Sequence, residues 1–232
     1  MGIIVDKNAD KNIFDALDKM NMPFCKSLDM PMLYKPVNTH PDMQIHFVDG
    51  KTAVAAPASF EYYRSCLPKY IELLKGSADP GGTYPGDCAY NVVRMGKNII
   101  GNLKYTDPVI LNFYELRGHN FINVKQGYTK CSLCIVDENS AITEDEGLYK
   151  TLNSAKIDVL KIERGGVRLD GFDYGFIGGA SGLISENKLA FFGDISKHSD
   201  YESIKKFIKT KKVDIIQLSS TNLADYGSII KY

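Results

Sequence analysis

Residues 131–145 read CSLCIVDENSAITED, two short apolar runs on either side of Glu138-Asn139. Asn tolerates the positive φ that a tight hairpin turn requires, so the stretch predicts a β-hairpin. Three other stretches have the same pattern: DMQIHFVDGKTAVAAPA at 42–58, CAYNVVRMGKNIIGN at 88–102 and ASGLISENKLAFFGD at 180–194. The pattern returns about every 45 residues, which indicates an internal repeat with one supersecondary unit per copy.

A helix signal follows each predicted hairpin. Asp107-Pro108 supplies an N-cap and a first-turn proline, and 143–146 and 199–202 are capping boxes. A third apolar strand is predicted at 121–124, 158–162 and 214–218, whereas 75–79 after the first helix make a poor strand. The predicted unit is therefore β-β-α-β.

The two ends of the chain complete this pattern. Residues 226–232 are typical of a lone first strand, and 2–5 of a lone second strand followed by a helix and a third strand near Phe24. Pairing these ends would close a ring of five units and leave no unpaired sheet edge between the first and the last. We therefore predict a single α/β domain over 1–232. Its repeats are expected at roughly 40–85, 86–127, 128–173, 174–224, and 225–232 joined with 1–39. Two unrelated α/β domains are the alternative.

Composition excludes several classes of function. The 232 residues contain 28 Lys and Arg against 28 Asp and Glu, a formal net charge of zero. Nucleic-acid and acidic-membrane binding both depend on a basic surface, so neither partner is expected. No apolar run approaches the roughly 20 residues of a membrane helix, and the N-terminus has no leader pattern. The expected partner is a small molecule, and the sequence predicts no oligomeric state.

The five cysteines are odd in number and sparse. They predict no disulfide framework, and a cytoplasmic location is the simplest expectation. Cys131 and Cys134 have C-x-x-C spacing, but no second pair or histidine couple accompanies them as a zinc site would require. We therefore predict packed thiols, no metal and no cofactor.

Three stretches carry a resemblance to a known fold: 126–146, 173–195 and 225–231. With the five predicted units, they resemble the pentein superfamily, the fold of the guanidino-group-modifying enzymes arginine deiminase, agmatine deiminase, dimethylargininase and the amidinotransferases. More narrowly, they are similar to an uncharacterised clostridial-type bacterial group of that fold. The resemblance implies a five-bladed α/β propeller of ββαβ repeats with pseudo-fivefold symmetry. Its fifth blade would be split between the N- and C-termini.

The resemblance also implies a site at the centre of the ring. In those enzymes a cysteine of the last unit attacks the guanidinium carbon, a histidine moves protons and two acids hold the cation. Here the corresponding strand carries Gly227 and Ser228, and no cysteine follows Cys134. His40-Pro41-Asp42 resembles the H-x-D element of the family, but it lies in the first repeat. The usual nucleophile is therefore missing, and the role of the histidine is open.

The repeat itself indicates which residues line the centre, since the segment before each first strand must turn into it. These segments supply the candidate ligand-binding residues: His40, Asp42, Asp87, Tyr128, Lys130, Tyr174, Asp225 and Tyr226. Aromatic and acidic side chains around one axis suit a small polar or cationic ligand. For the tyrosines, a structural corner packed over glycine is the alternative.

Four residues are candidates for chemistry. Cys88 and Cys131 occupy the repeat position of the enzymes' nucleophile, with His40 as a possible base, and Ser228 is a weaker substitute. The leading hypothesis is a protein that binds a guanidino-like ligand in the central pore without standard deiminase chemistry. The alternatives are a guanidine or amidine hydrolase or lyase that uses Cys131 or Cys88, and a non-catalytic interaction propeller.

Overall fold

The computed structural model describes residues 1–232 and contains five three-stranded sheets. In each sheet the middle strand pairs antiparallel with one neighbour and parallel with the other. A helix precedes the third strand of every sheet, because a parallel connection needs a crossover. This is the predicted β-β-α-β order.

The elements follow one another in chain order. The N-terminal segment forms β1 (Ile3–Val5), α1 (Lys11–Lys19) and β2 (Phe24–Lys26), and the next unit forms β3 (Ile45–Phe47), β4 (Thr52–Ala55), α2 (Pro57–Cys66) and β5 (Glu72–Lys75). The next two units are β6 (Val93–Met95), β7 (Asn98–Gly101), α3 (Pro108–Glu115), β8 (Asn120–Asn123), and α4 (Thr129–Ser132), β9 (Cys134–Asp137), β10 (Ser140–Thr143), α5 (Glu146–Ser154), β11 (Asp158–Lys161). The last elements are β12 (Ser181–Ser185), β13 (Lys188–Phe191), α6 (Tyr201–Thr210), β14 (Asp214–Gln217) and β15 (Ile230–Lys231).

The first sheet joins strands from the two ends of the chain. β1 pairs antiparallel with β15, with Ile3 opposite Lys231 and Ile4 opposite Ile230, and parallel with β2. The backbone of Gly2 both donates to and accepts from that of Tyr232, at 2.9 Å in each direction. The strand order is β15-β1-β2.

Five apolar clusters hold neighbouring sheets together. Each cluster combines side chains of two units that follow one another; for example, Ile142 packs with Leu189 and Ile204, and Val54 with Ile99 and Ile110. The cluster of Ile4, Ile45 and Ile230 joins the sheet of the chain ends to the β3–β5 sheet in the same way. The core is thus a series of interfaces between sheets.

Two sequence predictions need correction here. A third strand does follow the helix of the first repeat, but at Glu72–Lys75 instead of 75–79; it is earlier because α2 ends at Cys66, before Pro68. Two cysteines are not free, since Cys25 of β2 and Cys66 of α2 form a disulfide with Cα atoms 6.4 Å apart. Cys88, Cys131 and Cys134 are buried free thiols.

No helix is both long and apolar enough to cross a membrane.

Candidate functional site

Three loops that precede first strands bring a histidine, a cysteine and an aspartate together. One ring nitrogen of His40, the Sγ of Cys131 and a carboxylate oxygen of Asp225 all lie within 4.8 Å of one another. The three residues are only 2%, 4% and 4% exposed, respectively. Titratable groups are rarely buried this deeply without a role, so the cluster is the strongest candidate for a functional site.

Asp225 is held by the backbone around it. One carboxylate oxygen accepts from the amide of Phe176 at 2.9 Å and the other from the amide of Gly227 at 3.0 Å. A Cβ at Gly179 would lie 1.9 Å from Oδ1 of Asp225, so only glycine allows this approach. Burial raises the pKa of Asp225, and the nearby His40 opposes the shift.

His40 lies against this aspartate at the start of a short 3-10 turn, Pro41–Met43. Its Nδ1 is 3.8 Å from Oδ1 of Asp225 and, although buried, has no hydrogen-bond partner. Gly227 has a φ of +68°, and a Cβ there would lie 2.3 Å from the Cβ of His40. The glycine thus allows the close approach that places the imidazole beside Asp225.

Cys131 is flanked by two polar side chains from other units. Its Sγ lies 2.9 Å from Oδ2 of Asp42 and accepts from Nδ2 of Asn91 at 3.2 Å. Burial, with the negative charges of Asp42 and Asp225, raises the pKa of the Cys131 thiol well above its ordinary value. The thiol is therefore protonated at neutral pH, and a positive charge bound beside it would favour the thiolate.

Asp42 also accepts a hydrogen bond from Ser228, which the sequence analysis gave as a weaker candidate for chemistry. Oγ of Ser228 donates to Oδ2 of Asp42 at 2.8 Å, and Oδ1 of Asp42 is buried without a partner. Ser228 has a φ of +70°, which is unfavourable for a residue with a Cβ. Ser228 thus acts as a hydrogen-bond donor to the carboxylate of Asp42.

The cluster opens into a cavity of about 240 Å³. Most of its wall is apolar or aromatic: Val37, Met43, Leu169, Phe172, Tyr174 and Phe176. Tyr128 contributes a further ring, while Asp225 and Asp173 are the acidic side chains of the lining. Such a wall fits a small molecule with a hydrocarbon part and a cationic head.

Asp42, which contacts Cys131, also lines a second cavity of about 370 Å³. Residues of β3, β6, β9, β12 and β15 line it, together with Asp42 and Lys130. Lys130 is half-buried there, and burial lowers the pKa of its ammonium group. The sequence placed Lys130 with the other candidate ligands. It lines this second cavity with Asp42, whereas its neighbour Cys131 lines the first, and the negative charges of Asp42 and Asp225 oppose the lowering of its pKa.

The remaining predicted residues divide between the cavity and its surroundings. Tyr128 and Tyr174 line the 240 Å³ cavity. Asp87 lies behind the wall, where it accepts from Tyr128 at 2.6 Å and from the Cys88 thiol at 3.2 Å. Tyr226 lines neither cavity and packs edge-on against Phe192, with 5.4 Å between the ring centroids.

Sequence reasoning missed Asn91. Its Oδ1 accepts from the backbone amides of Lys130 and Cys131, at 2.7 and 3.3 Å, while Nδ2 donates to the Cys131 thiol. One signal was available: Asn91 and Gln44 are polar residues directly before the apolar run of a first strand, and both are buried. A buried amide at that point satisfies backbone groups of a neighbouring loop.

The same three side chains are also the donor types of a transition-metal site. A histidine nitrogen, a thiolate and a carboxylate suit zinc, with the cavity offering a further position. The sequence predicted no metal. His40, Cys131 and Asp225 are the residues that would hold one.

Comparisons with known proteins agree with this fold. DDAH from Pseudomonas aeruginosa, in a mutant complexed with citrulline, has a TM-score of 0.56 at 10% identity over 94% of this chain and 92% of that one. Agmatine deiminase from C. jejuni has a TM-score of 0.52 at 14% identity, over 93% and 74%. Inosamine-phosphate amidinotransferase from Streptomyces griseus also has 0.52, at 10% identity over 93% and 76%. These similarities show that the chain shares the fold of these three proteins.

Sequence comparisons give the family. No curated protein matches the chain. One family model matches residues 4–230, nearly the whole sequence, and its description is "Family of unknown function (DUF6873)". The chain therefore belongs to the DUF6873 family and has the fold of the guanidino-group-modifying enzymes.

Proposed function

We propose that this protein binds a small guanidinium or amidinium cation in the 240 Å³ cavity and attacks it with the thiol of Cys131. The observation that carries the proposal is the buried cluster of His40, Cys131 and Asp225 at the base of that cavity. Nucleophilic catalysis needs a thiol, a proton carrier and a group that orients the electrophile, and these three residues supply them.

Each residue has a distinct role in the proposed reaction. Asp225, with two backbone donors already fixing its position, holds the cation by charge-assisted hydrogen bonds. The Sγ of Cys131 attacks the amidino carbon while the thiol proton passes to His40. His40 then returns the proton to the departing amine as its C–N bond breaks. Water then attacks the thiouronium carbon and gives one proton to His40. The C–S bond breaks, His40 returns that proton to the departing sulfur, and the urea product releases its remaining proton to solvent.

The electrostatics explain why attack would await the substrate. In the free protein Asp42 and Asp225 oppose ionisation of Cys131. A bound cation offsets both carboxylates, so the thiolate forms where the electrophilic carbon already lies. We therefore propose that the bound substrate activates Cys131 of the third unit, which replaces the cysteine that the resembled enzymes have in their last unit.

We also propose how the five sheets are arranged and where the protein acts. The five sheets are the blades of a closed α/β propeller, and the β15-β1-β2 sheet is the blade split between the termini. In support, the five apolar clusters link successive sheets all the way round, including the first to the last. A bacterial, cytoplasmic protein of this group, with a small-molecule partner and no nucleic-acid partner, is part of the same proposal.

The test compares two alkylating reagents of similar size. A haloacetamidine carries an amidinium cation next to its reactive carbon, whereas iodoacetamide is neutral. We expect the cation to alkylate Cys131 at least about 10-fold faster than iodoacetamide near pH 7.5, and Cys88 to show no such preference. Peptide mass spectrometry reports each cysteine separately.

Turnover is measured in the same preparations. With a guanidine substrate such as agmatine, amine or ammonia release should fall by more than about 10³-fold in Cys131→Ser and stay within about 2-fold in Cys88→Ser. Equal alkylation of both cysteines by the two reagents would contradict a cation site at Cys131. Binding without release of amine would leave the ligand-binding part and reject the reaction.

A further inference from the structure

The charges of the cavity lining narrow the class of molecule that fits it. The two acidic groups are Asp225 at the base and Asp173, which is exposed, and no Lys or Arg lines this cavity. We infer that the ligand is a guanidinium or amidinium cation that carries no carboxylate, with a hydrocarbon or cationic far end. This inference rests on the proposed function, because it concerns the same site.

The two basic residues next to lining residues in the sequence, Arg168 and Lys130, do not line this cavity themselves. Nη1 of Arg168, next to the lining residue Leu169, is 2.5 Å from Asp170. Lys130, next to Cys131, lines the other cavity. An amino-acid carboxylate in the 240 Å³ cavity would therefore meet mostly apolar walls and a second negative charge, with no Lys or Arg side chain in the lining to pair with it. An unpaired charge against such a surface is strongly disfavoured, and this is how a site rejects a close analogue.

The wall suits what remains of the molecule once the carboxylate is removed. Leu169, Val37 and Met43 offer hydrocarbon contact for a chain of methylene groups. The rings of Tyr174 and Phe176 stand nearly perpendicular, 6.2 Å between centroids, so that faces and edges are both presented. Aromatic faces attract cations, and the carboxylate of Asp173 can pair with a distal ammonium group.

The experiment uses three ligands that share one head group. Agmatine and arginine differ only by the carboxylate, and butylguanidine lacks both the carboxylate and the distal amine. Binding is measured by calorimetry on the Cys131→Ser protein, which cannot turn them over, and by protection of Cys131 from alkylation in the unaltered protein. We expect agmatine and butylguanidine to bind at least about 30-fold more tightly than arginine.

Two variants at the rim test the cause. Phe172 is 48% exposed, so its replacement should not affect folding. Phe172→Arg should improve arginine binding about 10-fold relative to agmatine, whereas Phe172→Gln, the matched uncharged control, should not. Asp173→Asn should weaken agmatine and leave butylguanidine within about 2-fold, since only agmatine has a distal cation.

The outcomes separate this inference from the proposed function. If arginine binds as tightly as agmatine, the carboxylate-free class is wrong while the cation site stands. If none of the three ligands binds or protects Cys131, the proposed function fails, and the inference fails with it. An unchanged ratio of arginine to agmatine in Phe172→Arg would show that charge at the rim does not set the specificity.

Discussion

Two units of the repeat place a cysteine before their first strand, yet their surroundings differ. Cys131 of the third unit contacts Asp42 and Asn91, lies near His40 and faces a cavity. Cys88 of the second unit contacts Asp87, and a Cβ on Gly127 would lie only 2.5 Å from its Sγ. Cys131 lies in α4 just before β9, whereas Cys88 lies outside any helix or strand and further from the start of β6, so the two thiols meet different neighbours.

The two units differ again one strand later. Directly after the middle strand, the second unit has Asn102, which donates to the backbone of Lys125 at 3.2 Å. The third unit has Glu144, 5% exposed, with Oε1 accepting from Ile177 and Oε2 without a partner. The unit that carries the candidate nucleophile therefore also contains a buried acid, and functional sites commonly carry such a cost in stability.

Glu144→Gln should produce the largest change in stability. Burial raises the pKa of Glu144 to about 8 in the folded protein, from an ordinary value of 4.5. Between these two pH values the folded state holds a proton that the unfolded state has released, so stability falls as pH rises. Gln does not titrate. The unaltered protein therefore loses stability between pH 5 and pH 8.5, and the variant does not lose this contribution. We expect the free energy of unfolding of the variant minus that of the unaltered protein to be about 2–4 kcal/mol larger at pH 8.5 than at pH 5.

Urea unfolding at the two pH values measures this difference. The matched control is Glu186→Gln, since Glu186 is exposed in the β12–β13 turn and should give the same small effect at both pH values. A Glu144→Gln effect that does not change with pH would mean that the carboxyl is ionised throughout. The contrast between the two units would then lose its electrostatic basis.

Asn91→Ala tests the link that runs from the second unit to the third. The substitution leaves the backbone amides of Lys130 and Cys131 without their acceptor, which should cost about 1–3 kcal/mol. It also removes a donor that favours the thiolate, so Cys131 should alkylate more slowly at a given pH. Thermal unfolding and the pH profile of alkylation measure the two effects.

Asn102→Ala is the control, because Asn102 makes its hydrogen bond at an exposed edge and not to the thiol loop. It should cost less than about 1 kcal/mol and leave alkylation of Cys131 unchanged. If both alanine variants behave alike, Asn91 does not organise the Cys131 loop.

The sequence could predict the fold because its signals are local. Hairpin turns at Gly50 and Asn139 and the cap at Asp107 depend on residues close in the chain, and the structure has a hairpin or helix at each. His40 and Asp225 could also be predicted as neighbours, because each lies in a segment that precedes the first strand of its unit. The pairing of β1 with β15 follows from the same symmetry.

The details of the site depend on contacts across units, which no local pattern encodes. Cys88 and Cys131 look alike in the sequence, and only the loops of other units distinguish them. The sequence does not show that Lys130 lines a different cavity from Cys131, because both residues belong to a single helical turn, Thr129–Ser132. The disulfide between Cys25 and Cys66 joins elements 41 residues apart, so sparse cysteines gave no sign of it.

Ser228 extends the comparison to the fifth unit and should give the smallest effect. Its hydroxyl donates to Asp42 at 2.8 Å, the carboxylate that also contacts Cys131. Its φ of +70° costs about 1 kcal/mol for any residue with a Cβ but almost nothing for glycine. Ser228→Ala loses the hydrogen bond and keeps the strain, whereas Ser228→Gly loses the bond and relieves the strain. We therefore expect the alanine variant to be less stable than the glycine variant by about 1 kcal/mol, a difference of about 2–4 °C in Tm.

Both variants remove the hydroxyl that donates to Asp42, the carboxylate that contacts Cys131. Both should therefore shift the pH profile of Cys131 alkylation by the same amount. If the glycine variant were less stable than the alanine variant, the backbone at Ser228 would not be strained. The hydrogen bond to Asp42 would then compensate no backbone strain.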